Sequence, residues 1–73
     1  MHITTSALIA RINRSLAPDY LKLRKTRGQR ANIDLGDYYV HDYFRSAVVD
    51  KFVDLESFAR DIGVLKEYEV VSN

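Results

Sequence analysis

The sequence predicts a small α+β domain in the order helix, strand, strand, strand, helix, with a three-stranded antiparallel sheet and both helices on one face. Apolar residues recur at helical spacing in two separate segments, and the stretches between them are rich in β-branched and aromatic residues. The 73 residues, 47% of them hydrophobic, suffice for one modest core. We expect a single domain over residues 1–73, with an ordered core over about 5–65 and a tail over 66–73.

The first helix is expected to be capped by Thr5 or Ser6 and to end near Ala17, ahead of Pro18. The residues before it are expected to be frayed. Its apolar side chains share one stripe, which consists of Leu8, Ile9, Ile12 and Leu16.

The first predicted strand leads into the most basic part of the chain. Residues 20–24 alternate between apolar and charged, with Leu21 and Leu23 directed inward. Residues 25–32 have no apolar periodicity and contain one glycine, which indicates an exposed loop. Residues 33–36 are expected to return to the core.

Two further strands are predicted over residues 37–42 and 47–52, joined as a hairpin. Both segments are rich in aromatic and β-branched residues and too short for convincing helices. Phe52 belongs to the core by this pattern, and Gly36 is expected to occupy a turn before the first of the two strands.

The register of the hairpin has two alternatives. A four-residue loop over residues 43–46 places Val40 opposite Val49, whereas a two-residue loop shifts every pair. We favour the longer loop because it buries both valines, and because Arg45 and Ser46 do not readily adopt the positive φ of a two-residue turn.

The second helix carries the strongest local signals of the chain. Its apolar residues have the spacing i, i+3, i+4 and i+7 and are Leu55, Phe58, Ala59 and Ile62. Asp54 suits the N-cap, Val53 can form a hydrophobic staple with Phe58, and Gly63 suits the left-handed position after the helix. Residues 66–73 are expected either to add an edge strand or to pack as an extended tail.

Charge is distributed unevenly along the chain, although the net charge is only +1. Residues 11–30 contain seven basic residues and one acidic residue, whereas residues 34–69 contain nine acidic and four basic ones. A bipolar molecule of this kind is suited to a polyanion at one end or to head-to-tail association. The chain has no cysteine and no apolar run of membrane-spanning length, so we expect a cytoplasmic protein that does not bind membranes.

The predicted binding site is the basic segment, defined as residues 22–30. Arginine and lysine at this density suit the phosphate backbone of a nucleic acid, and an acidic protein surface is the alternative partner. The expected contact residues are Lys22, Arg24, Lys25, Arg27 and Arg30, with Arg11 and Arg14 at the margin.

The tyrosines of the hairpin support a second hypothesis, in which the chain is a protein-interaction module or a small regulator or inhibitor of a larger bacterial assembly. Tyr38, Tyr39 and Tyr43 alternate across the hairpin, so one face exposes one or two rings. We favour a homodimer interface for them over the stacking of nucleic-acid bases.

Catalytic chemistry has little support in the sequence. His41 is the only internal histidine, and it lies next to Asp42 in a predicted strand. A lone histidine without cysteine or a second histidine at ligand spacing does not make a zinc site. We therefore expect no enzyme activity, no metal and no cofactor.

The order of elements resembles that of double-stranded-RNA-binding domains. That family places lysines at the start of its second helix, where this chain has Asp54 and Glu56, so the resemblance implies a shared topology and not a shared function. Segments 11–14, 23–28, 35–39 and 54–56 also resemble short bacterial open reading frames of unknown function, found on plasmids, prophages and chromosomes. This second resemblance implies a small bacterial accessory protein.

Overall fold

The computed structural model describes residues 1–28 and 33–72 of the chain. Within them, the main strands and helices follow in the order β1 (His2–Thr4), α1 (Thr5–Leu16), a 3₁₀-helix (Ala17–Asp19), β2 (Leu21–Lys25), β3 (Tyr38–Asp42), β4 (Ala47–Asp50), α2 (Leu55–Asp61) and β5 (Val70–Ser72).

The predicted three-stranded antiparallel sheet is confirmed, with strand order β2-β3-β4. Leu23 of β2 pairs with Val40 of β3, and both side chains are buried. Paired residues of antiparallel strands point to the same face of the sheet. The same core cluster contains Ile12 of α1 and Ala59 of α2, so both helices lie on this face, as predicted.

The first helix begins at Thr5, as predicted, but its cap differs from the prediction. Thr4, and not Thr5 or Ser6, is the N-cap, and its side-chain oxygen accepts a hydrogen bond from the Ala7 backbone N–H at 3.1 Å. Leu8 and Ile12 on its inner stripe are fully buried.

Both ends of α2 follow the prediction. The Asp54 carboxylate accepts a hydrogen bond from the Ser57 N–H at 3.1 Å. Gly63 has φ +80°, and Val64 donates its backbone N–H to the Ala59 carbonyl at 2.9 Å, which is the Schellman arrangement.

The two ends of the described chain pair with each other. β1 and β5 form a parallel two-stranded sheet, in which Ile3 lies opposite Val71 and is buried. The expectation that residues 1–4 are frayed is therefore wrong, and residues 70–72 form a strand. A three-residue strand is stabilised by its pairing with a distant strand, so no local sequence pattern predicts it.

The hairpin has the predicted four-residue loop but not the predicted register. His41 pairs with Val48, whereas Val40 pairs with Asp50, so Val49 is the extra residue of a β-bulge and is exposed. The expected pairing of Val40 with Val49 is therefore wrong. Ser46 closes the loop with φ 56°, contrary to the prediction that it does not adopt a positive φ.

Two apolar residues expected in the core are exposed. Phe52 has φ 52° and donates its N–H to the Leu35 carbonyl at 2.8 Å, which turns its side chain outward and sends Val53 inward instead. Ile33 is 74% exposed, and residues 33–35 are helical. No helix in the described parts of the chain is long and apolar enough to cross a membrane.

Candidate nucleic-acid interface

Two basic side chains of strand β2 lie on the face of the sheet opposite the helices. Leu23 points into the core, so Lys22 and Arg24 on either side of it project the other way and are exposed. Lys22 pairs with His41 and Arg24 pairs with Tyr39, which places these four side chains on the same face of the sheet.

An open groove of about 930 Å³ runs along β2 and the residues that follow it. We call it the basic groove. It contains four of the five predicted contact residues of the basic segment, which are Lys22, Arg24, Lys25 and Arg27. Its other lining residues are Ile9, Asn13, Leu23, Thr26, Leu35 and Tyr39. Arg30, the fifth predicted contact, lies outside the described residues.

Asn13 fixes the helix side of the groove. Its side-chain oxygen accepts a hydrogen bond at 2.8 Å from the backbone N–H of Leu23, on the edge of β2 that has no strand neighbour. This contact attaches α1 to the edge strand. It also satisfies a backbone N–H that could otherwise pair with a strand of another molecule.

The positive charge of the basic groove is not neutralised from within the described structure. Over residues 1–28 and 33–72, the two ion pairs are Arg11 with Glu69 and Arg60 with Glu56. None of the four groove cations pairs with a carboxylate there. Their charges are therefore available to an anionic ligand.

The two marginal arginines lie away from the groove. Arg11 directs one guanidinium nitrogen at both carboxylate oxygens of Glu69, at 3.2 and 3.1 Å, and at the Val64 carbonyl. Arg14 is exposed beside Arg11, Ser15 and Val64 in a separate recess of about 350 Å³. The structure thus places neither arginine in the basic groove.

The three hairpin tyrosines occupy three different environments. Tyr38 is half-buried and packs against the core. Tyr39 lines the basic groove and is paired with Arg24. Tyr43 is 50% exposed and its ring contacts the ring of Tyr20.

Two aromatic residues that the sequence did not single out join Tyr43. The ring centroid of Tyr20 lies 5.9 Å from that of Tyr43 and 5.4 Å from that of Phe44. We call Tyr20, Tyr43 and Phe44 the aromatic cluster. Asp42 supports its loop, because its carboxylate accepts hydrogen bonds from the Phe44 and Arg45 N–H groups, each at 3.0 Å. The one sequence feature that bears on this cluster is Pro18, which ends the first helix shortly before Tyr20.

His41 lies between Lys22 and Val48 on the sheet face that carries the basic residues. Its Nδ1 atom is buried without a hydrogen-bond partner among the described groups. No set of three or more histidine or acidic side chains in the described part of the chain is placed to hold a metal ion.

No protein-family model, curated protein sequence or solved structure matches the chain.

Proposed function

We propose that this chain is a non-enzymatic nucleic-acid-associated protein, a small bacterial accessory protein of the cytoplasm, which contacts phosphates through the basic groove. The observation that carries the proposal is that Lys22, Arg24, Lys25 and Arg27 all line one groove, and that no carboxylate among the described residues pairs with any of them. Lysine and arginine contacts to phosphates supply affinity without reading sequence.

The position of the cations also explains how nucleic-acid binding is compatible with an acidic second helix. Asp54 and Glu56 repel phosphates from the start of α2. The groove cations come instead from β2 and the residues after it, so the phosphates approach a different part of the molecule.

The test is fluorescence anisotropy of labelled duplex DNA titrated with the protein at several salt concentrations. If four phosphates are neutralised, log affinity should fall against log salt with a slope of roughly −3.6. A triple variant in which alanine replaces Arg24, Lys25 and Arg27 keeps only Lys22 of the four cations. Its slope should be reduced to roughly −0.9.

The matched control removes three exposed basic side chains outside the groove and has the same net charge as the triple variant. Its substitutions are Arg45→Ala, Lys51→Ala and Lys66→Ala. We expect the control to keep most of the affinity and of the slope. Equal losses in the two variants, or no binding of either duplex or single-stranded DNA by the unmodified protein at low salt, would overturn the proposal.

A homodimer is the second candidate, and the exposed apolar residues of β4 favour it. Val48 and Val49 are 38% and 54% exposed on an edge strand, and Phe52 beyond it is 64% exposed. Such an edge can pair with a second copy.

Sedimentation at several protein concentrations tests this candidate. A dimer paired through β4 should dissociate in a Val48→Lys variant, because a charge on an edge strand opposes edge-to-edge pairing. A monomer at every concentration would exclude the dimer.

A further inference from the structure

The aromatic cluster and the basic groove lie along the same pair of strands. Tyr43 donates its backbone N–H to the Tyr20 carbonyl at 3.1 Å, which continues the β2–β3 ladder beyond its last paired strand residues. The ladder therefore runs from the aromatic cluster at one end to the pair of Lys25 and Tyr38 at the other, next to the pair of Arg24 and Tyr39 in the basic groove.

We propose that the nucleic acid bound by this chain is single-stranded, with its phosphates in the basic groove and its bases stacked on the aromatic cluster. The inference rests on the proposed function and names the kind of nucleic acid. A duplex keeps its bases stacked on one another, whereas a single strand presents them to aromatic side chains.

The rings of the aromatic cluster are accessible to a ligand. Phe44 is 75% exposed, Tyr20 is 53% exposed and Tyr43 is 50% exposed. The ring planes of Tyr20 and Tyr43 are inclined by 76° and those of Tyr20 and Phe44 by 38°, so the rings do not cover one another as parallel stacks would. Exposing apolar rings to water is unfavourable in free energy, and stacked bases would remove these rings from water.

The adjoining charge favours a polyanion over a second copy of the chain on this surface. A two-fold symmetric dimer brings the same patch of each copy together. If the patch included Lys22 and Arg24, it would oppose like charges across the contact. A single strand instead supplies a negative charge at every phosphate and an apolar ring at every nucleotide.

Three labelled probes separate base stacking from phosphate binding. They are a thymine oligonucleotide of about twelve nucleotides, an abasic strand of the same length and charge, and the thymine strand annealed to its complement. We expect the thymine strand to bind roughly tenfold or more tightly than the abasic strand, and more tightly than the duplex.

Phe44 is the residue to change, because its side chain is the most exposed of the aromatic cluster. Phe44→Ala should weaken binding of the thymine strand roughly tenfold and leave binding of the abasic strand unchanged. Tyr68→Ala is the matched control, since Tyr68 is 68% exposed and lies outside the aromatic cluster. It should bind all three probes as the unmodified protein does.

A tryptophan at the same position gives a second, direct readout. The chain has no tryptophan, so Phe44→Trp introduces a single indole reporter. Its fluorescence should be quenched on saturation with the thymine strand and not with the abasic strand, because only the former has bases to stack. Far-ultraviolet circular dichroism of each variant verifies that it folds.

The outcomes distinguish the two proposals. Equal affinity for thymine and abasic strands, tighter binding of the duplex, or an unquenched indole on a saturated thymine strand would overturn the stacking inference and leave phosphate binding intact. Failure to bind any probe at low salt would overturn the proposed function and this inference with it.

Discussion

Arg11 and Glu69 form the ion pair that joins α1 to the segment before β5. One guanidinium nitrogen of Arg11 lies 3.2 and 3.1 Å from the two carboxylate oxygens of Glu69. Only 3% of Glu69 is exposed, although its partner remains 39% exposed at the side chain. Glu69 therefore connects two parts of the chain that are distant in sequence.

The surroundings of Glu69 hold its pKa below the ordinary value of 4.5. The largest cause is the hydrogen bond that the Lys66 backbone N–H donates to the carboxylate at 2.9 Å, and Arg11 adds to it. Burial acts in the opposite direction, because it disfavours the charged form. The charged carboxylate thus stabilises the fold above pH 4.5, and this contribution is lost as the pH falls through the lowered pKa.

Replacing Glu69 with glutamine should lower the melting temperature at neutral pH. The amide can still accept from Lys66, but it has no charge for Arg11. The difference in melting temperature between the unmodified protein and Glu69→Gln should narrow as the pH falls below 4.5, because the carboxylate of the unfolded chain then binds protons before the native carboxylate, whose pKa is lowered, does. Thermal unfolding at a series of pH values measures both effects.

Glu56→Gln is the control for this experiment. Glu56 pairs with Arg60 at 3.0 Å within α2, and its side chain is 50% exposed. An exposed pair of this spacing contributes about 0.5 kcal/mol or less. A loss for Glu56→Gln as large as that for Glu69→Gln would contradict the structural importance that we assign to the buried carboxylate.

Gly36 should tolerate substitution less well than Gly63. Both residues have positive φ, of +77° and +80°, so alanine is strained at either position by about 1–2 kcal/mol. A Cβ atom at Gly36 would also lie 2.7 Å from the Cα atom of Phe52, whereas one at Gly63 meets no described atom within 4 Å. We expect Gly36→Ala to cost about 2–4 kcal/mol in urea unfolding, and Gly63→Ala to cost only the strain.

Equal losses at the two glycines would show that the close approach of Phe52 to Gly36 does not constrain the fold. Gly36→Ala combined with Phe52→Ala separates the two contributions further. The smaller residue at position 52 removes the nearby ring but not the backbone contact, so we expect only partial recovery of the free energy of unfolding.

Asn13 links the stability of the fold to the proposed site, because it binds the edge of β2 and also lines the basic groove. Asn13→Ala leaves the Leu23 N–H without its acceptor and should reduce the free energy of unfolding by about 1–2 kcal/mol. Asn13→Asp keeps an acceptor oxygen but adds a negative charge to the groove.

The aspartate variant should therefore remain closer to the unmodified protein in stability and lose more nucleic-acid affinity than the alanine variant. Urea unfolding and the anisotropy titration measure the two quantities separately. Undiminished affinity in Asn13→Asp would contradict the placement of phosphates in this groove.

The elements that were predicted correctly are those specified by neighbouring residues. The apolar stripe of α2, the Asp54 cap and the left-handed Gly63 all act within a few residues of one another. The alternation of Leu21 and Leu23 similarly identified β2. Each of these patterns has its physical cause in the segment itself.

The features that were missed depend on distant parts of the chain. β1 is a strand because it pairs with β5, and no property of three residues predicts that partner. Phe52 likewise hydrogen-bonds to the carbonyl of Leu35, which lies in another part of the chain, and its side chain is exposed. An apolar residue in a strand-like pattern is therefore not sufficient evidence of burial.

The candidate site was only partly accessible to sequence reasoning. The density of positive charge identified the basic segment, but the groove that four of its residues line is also formed by residues of α1 and by Leu35. The aromatic cluster requires Tyr20 to meet a loop more than twenty residues away. The basic residues could be predicted as a site because they are close together in the sequence. The residues that surround them depend on the fold.

The parallel pairing of β1 with β5 also has a consequence for how the protein is made. β1 leaves the ribosome well before β5, because residues 5–69 lie between the two strands. Ile3 cannot acquire its neighbour Val71 until that late segment has emerged, since closing so long a loop precedes the contact that stabilises it. Nascent chains halted before residue 70 should leave Ile3 open to chaperones and proteases, and completion of β5 should protect it.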